Sequence, residues 1–88
     1  MAQFTGMDIA GVRQLAQQMT QKADEIQQIT TQLTQALNGA QWVGPDREKF
    51  VSDWQSQHVA ALTRVCDGLK QASQLATQNA QQQETASA

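Results

Sequence analysis

The chain has 88 residues, a formal net charge of −2 and only 16% charged residues, against the ~25% usual in soluble domains. One cysteine and one histidine leave no pair for an internal disulfide and no thiol–imidazole set for zinc, so no cofactor or metal is expected. The six basic residues are scattered and form no phosphate-binding stripe, which excludes an ordinary nucleic-acid binder.

A chain of this length supports one domain and buries a small fraction of its surface. Without disulfide or metal, oligomerisation is the remaining source of burial. No run of ~18 apolar residues is present, so no transmembrane segment is expected. The first residues lack a basic segment followed by an apolar core, so no general secretory signal peptide is expected either.

Residues 1–7 read as an N-terminal arm, with Phe4 placed to fold back on the first helical turn. A helix is predicted over 8–37. Its start is open between a Thr5–Asp8 capping box and Asp8 as the N-cap. Val12, Met19, Ile26 and Leu33 recur every seven residues, and so do Ile9, Ala16, Ala23, Thr30 and Leu37. Leu15, Ile29 and Ala36 widen the stripe. A strict two-position seam suits one neighbour; the wider stripe suits two, as in a four-helix bundle.

Residues 38–44 break the pattern. Asn38-Gly39 is expected to take the left-handed conformation that ends a helix. Gly44 permits a tight backbone, and Pro45 opens the next helix with Asp46 and Glu48 at the positive end of its dipole. So short a connection makes the two helices antiparallel neighbours.

The second helix is predicted over 45–79. Its stripe is Phe50, Val51, Trp54, His58, Ala61 and Leu62, continuing through Val65, Leu69, Ala72, Leu75 and Ala76. Residues 80–88 have no large apolar side chain, and a flexible tail is expected there. The fold expected is all-α: an antiparallel two-helix hairpin that pairs into a four-helix bundle dimer. A lone hairpin would leave half of each stripe wet, forfeiting several kcal/mol at roughly 1.5–3 kcal/mol per large apolar side chain.

The expected interface is therefore Ile9, Val12, Leu15, Met19, Ile26, Ile29, Leu33 and Leu37 on the first helix. On the second it is Phe50, Val51, Trp54, His58, Leu62, Val65, Leu69 and Leu75. His58 could act as a pH-sensitive seam residue, but a satisfied interface histidine is the simpler reading. Cys66 beside the seam reads as a small semi-buried side chain rather than an intermolecular disulfide partner. Asp53, Ser56, His58 and Cys66 share one helix at angles that preclude a nucleophile–base–orienter set, so no enzyme is expected.

Trp42-Val43-Gly44, midway between two long amphipathic helices, resembles the turn of the WXG family of small type VII secretion proteins, the early secreted antigenic target kind. Phe4-Thr5-Gly6-Met7-Asp8 resembles the aromatic-x-Gly-x-acid start of many members. Trp42 to Asp46 followed by Phe50 and Trp54 resembles the actinobacterial form of the turn. The resemblance implies a hairpin that pairs with itself or a sister hairpin and is exported folded, without a cleavable signal peptide, by a secretion ATPase. It assigns Trp42 and Gly44 to the secretion turn. The family's C-terminal Tyr-x-x-x-Asp/Glu element has no counterpart, since the chain has no tyrosine. The alternative is an intracellular helical adaptor that binds a partner coiled coil through the same stripe.

Overall fold

The computed structural model describes residues 6–87 and shows an all-α antiparallel hairpin. Helix α1 spans Ile9–Gly39. The returning arm is α2, Pro45–Asp53, then a π-helical turn, Trp54–Val59, then α3, Ala60–Ser87. The molecule measures 65 × 23 × 17 Å with a radius of gyration of 19.8 Å, against about 12 Å for a compact domain of this length. Two helices side by side have no third layer to close a core. Accordingly the accessible surface, 6744 Å², exceeds the roughly 5,100 Å² of a compact monomer of this mass. No described helix is long and apolar enough to cross a membrane.

Asp8 is the N-cap of α1: its carboxylate accepts from the Gly11 N–H at 3.0 Å, which satisfies one of the free donors of the first turn. Gly11 follows from that cap, because a Cβ there would run into the Asp8 carboxylate. The expectations for Phe4 and Thr5 lie outside the described residues.

Helix α1 does not end in a left-handed residue at Asn38-Gly39. Gly39 is its last helical residue, and Ala40 leaves in an extended conformation (φ −71°, ψ 141°) with its N–H on the Leu37 carbonyl at 3.3 Å. The left-handed requirement falls instead on Gly44, at φ 132° and ψ 176°, the only positive-φ residue described. Its carbonyl accepts from the Arg47 and Glu48 N–H groups at 3.2 and 3.3 Å and so starts α2. Nothing lies within 4 Å of a Cβ at Gly39 or Gly44, so conformation alone separates the two sites. Gly44→Ala is expected to cost about 1–3 kcal/mol. Gly39→Ala should be neutral or up to about 1 kcal/mol stabilising, through helix propensity. Parallel thermal melts compare the two; equal melting temperatures would remove the special role of Gly44.

Helix α3 passes the expected boundary at 79 and continues to Ser87, so residues 80–87 are helical rather than a flexible tail. Composition misleads here because the residue that docks this end is an alanine. Ala80 is fully buried against α1, and Arg13 reaches across to Glu84 at 2.8 Å and to the Gln81 side-chain oxygen at 3.3 Å. The ion pair is exposed and worth at most about 1 kcal/mol; the burial of Ala80 adds to it.

Candidate functional site: an uncovered apolar face

The inner seam is built from small residues. Ala16 and Ala23 on α1, and Cys66, Ser73 and Ala80 on α3, are the buried positions, each set seven apart. Small side chains let the two backbones approach until polar atoms of one helix reach the carbonyls of the other. The Ser73 hydroxyl donates to the Ala16 carbonyl at 2.7 Å. With that proton committed, the Thr20 hydroxyl donates to Ser73 Oγ at 2.9 Å. The Cys66 thiol donates weakly to the Ala23 carbonyl at 3.4 Å, and its burial puts it out of reach of a second chain.

Around this seam sits a ring of half-buried expected interface residues: Ile9, Val12, Met19, Ile26 and Leu37 on α1, and Val51, Trp54, Leu62 and Leu69 on the returning arm. These are partly covered within the single hairpin. The other expected interface residues remain about half exposed: Leu15, Ile29, Leu33, Phe50, Val65 and Leu75. His58 is also exposed, its ring 6.0 Å from that of Trp54, so it does not lie in the hairpin seam.

Helical phase decides where the exposed residues lie. At about 100° per residue, a residue just before a seam position falls on one flank of its helix and a residue four after falls on the other. In an antiparallel pair, like flanks meet. Arg13, Thr20 and Thr34 hold one flank of α1, where they meet Glu84, Ser73 and Trp54. Leu15, Ile29 and Ala36 hold the opposite flank, together with Lys22. On α3 that flank carries Val65 and Ala72, with Leu75 one step further out. One long side of the hairpin is thus polar and cross-linked, and the other is apolar and uncovered.

The π-helical turn extends this face to the end of the hairpin. A π turn holds one residue more than the α-helical turn it replaces, so everything before it rotates by about one position. Phe50 takes the phase of the uncovered flank, and Trp54 turns inward, where its indole N–H donates to Thr34 Oγ1 at 2.8 Å. Between Leu33, Leu37, Phe50 and Trp54 lies an apolar hollow of about 140 Å³. The Trp42 ring covers the outer edge of Phe50, centroids 5.4 Å apart and tilted by 53°, and stays 38% exposed. Beyond it Val43 is 97% exposed at the tip. Trp42 therefore lids the end of the apolar face while presenting its other side to solvent, as a large amphipathic ring can.

The residues buried within the hairpin lie outside the expected interface, and their signal in the sequence is the seven-residue recurrence of small side chains, which reads as a close-packed seam once small size is taken as the reason for contact. Among the described residues no three His, Cys, Asp or Glu side chains gather as a metal-binding group. In comparisons with known proteins, no family model, curated protein or solved structure matches this chain.

Proposed function

We propose that this chain is a pairing subunit and substrate of a type VII (WXG-type) secretion system, non-enzymatic and exported folded together with a second hairpin. The observation that carries the reading is the juxtaposition at the turn: an uncovered apolar face ends under Trp42, in a Trp-Val-Gly turn whose glycine alone can adopt φ 132°. A turn that served only to join two helices would not need a half-exposed indole and a fully exposed valine at its tip. Pairing covers the face, and the tip stays outside the covered region, free to be read by a secretion ATPase. The missing tyrosine element is supplied by a partner hairpin or by the residues after Asn79, or else export follows a rule other than the family's usual one.

The test separates folding from export. Trp42→Arg removes one edge of contact with Phe50 but no seam residue, so most helicity and pairing should survive. In the native host, pellet and culture filtrate are compared for the wild type, Trp42→Arg and a chain truncated after Asn79. A folded Trp42→Arg protein retained in the cells is the expected result. Normal export of that variant would reject the reading and favour an intracellular adaptor that uses the same face on another coiled coil.

A further inference from the structure

We infer that Thr34 and Trp54 are positioning residues for the tip: their hydrogen bond holds the one-residue offset of the π turn, and that offset seats Trp42 on Phe50. The consequence for export rests on the proposed function; the geometry does not.

The offset is visible in burial. The seam of α3 is Cys66, Ser73 and Ala80. Counting back from Cys66 by threes and fours, as an unbroken α-helix requires, brings Leu62, Val59, Gln55, Ser52 and Glu48 towards α1. Leu62 and Val59 are half-buried, but Gln55, Ser52 and Glu48 are exposed. Their places are taken by Trp54, Val51 and Arg47, each one residue earlier and each half-buried. The step falls where the turn over Trp54–Val59 holds its additional residue. Without it Phe50 would swing about 100° further from α1, to the outer side of the arm, and Trp54 would lie on the uncovered flank.

π spacing is rare in helices, so a contact must favour it over the α-helical phase. Val51 contributes burial. Trp54 contributes a directed bond, its indole N–H donating to Thr34 Oγ1 at 2.8 Å. Thr34 is set up to receive it. Its own proton is committed to the Thr30 carbonyl at 2.8 Å, which leaves the oxygen as an acceptor for the indole. A return to α-helical phase breaks this bond and takes Val51 and Trp54 away from α1.

The tip depends on that phase. Trp42 lies between α1 and α2, with its N–H on the Ala40 carbonyl at 3.0 Å and its ring on Phe50. Thr34 does not line the hollow around Trp42, which is formed by residues 40–44 with Arg47 and Glu48. A change at Thr34 therefore reaches Trp42 through Trp54, the phase of α2 and Phe50, in that order.

The test incorporates fluorotryptophan into the full chain and follows the fluorine NMR signals of Trp42 and Trp54, assigned with Trp42→Phe. Thr34→Val keeps the shape and removes the acceptor; Thr34→Ser keeps the acceptor. With helicity retained, Thr34→Val should shift both signals, and Thr34→Ser should leave both near wild type. Trp54→Phe breaks the same bond from the other side and should move the remaining Trp42 signal in the same direction. A Thr34→Val chain in which Trp54 alone shifts overturns the proposal.

Deletion of Gln57 makes the test more specific. The shortened arm has α-helical spacing throughout, with Phe50, Val51 and Trp54 already in their present phase. In that background Thr34→Val should still shift Trp54 and leave Trp42 unmoved. A Trp42 shift as large as in the undeleted chain overturns the proposal. So does loss of the fold on deletion, because removing a surplus residue leaves both seams in place. In the native host, the Thr34→Val chain should be retained in the cells and the Thr34→Ser chain exported. A moved Trp42 signal with normal export would reject the secretion reading and keep the positioning. An unmoved signal would reject the positioning whatever export does.

Discussion

Ala23→Leu should abolish the cooperative thermal transition of the hairpin or lower it by tens of degrees. Ala23 has no accessible surface, and its carbonyl is within 3.4 Å of the Cys66 sulfur on the facing helix. Three further carbon atoms have no space there, and the helices must move apart. Separation also stretches the Ser73–Ala16 hydrogen bond and lifts Ala80 from its site, because all three contacts lie on one seam. Overpacking of a filled core costs about 1–3 kcal/mol and sometimes more, a large share of the roughly 5 kcal/mol that stabilises a small domain. Ala36→Leu adds the same atoms on the uncovered flank, where Ala36 is exposed, and should leave the hairpin's melting almost unchanged. Circular dichroism of the two variants side by side provides the check. Equal melting curves would show that the small-residue seam is not the site of close contact.

The helical hairpin was legible because both arms keep a heptad-like apolar stripe for some thirty residues and the only Gly-Pro break lies between them. The division of that stripe was harder to read. Ile9, Ala16, Ala23, Thr30 and Leu37 form a visible register, but apolar size, the stronger signal in a sequence, does not say which of these positions make the closest approach. In the structure the smallest residues make the closest approach, while Leu15, Ile29 and Val65 stay outside. The end of α3 is hard to read in the sequence for the same reason, since Ala80 carries no hydrophobic bulk and yet is fully buried.

The π-helical turn leaves a mark in the sequence. Phe50, Trp54, His58 and Leu62 are spaced by four three times in succession. An α-helix seam alternates threes and fours; three fours drift by about 120°. One inserted residue at Trp54–Val59 absorbs most of that drift. His58 itself lies within the π turn and is exposed in the single hairpin. The Trp42–Phe50 contact was not legible, because the path of residues 40–44 depends on the unusual backbone of Gly44 rather than on any periodicity.

Leu33→Asp and Leu69→Asp should fail in different ways, and the difference tests the assignment of inner seam and outer face. Leu69 is half-buried between the two helices of one hairpin. A carboxylate there must be desolvated, or held protonated, in every folded molecule. That costs several kcal/mol and should unfold the chain at any concentration. Leu33 is about half exposed on the rim of the Leu37–Phe50–Trp54 hollow, so within a single hairpin its aspartate remains hydrated. The cost appears only when a partner hairpin covers the hollow, as the proposed pairing requires, where the uncompensated charge weakens association by about 100-fold or more. Under the proposed pairing, the concentration dependence of mass in sedimentation and of melting temperature should both be lost in the Leu33→Asp chain. Gln32→Asp, one residue away and exposed, should change either property little. Equal loss of helicity in Leu33→Asp and Leu69→Asp would place Leu33 in the inner seam. Unchanged association of the Leu33→Asp chain would mean that the hollow is not where a partner binds.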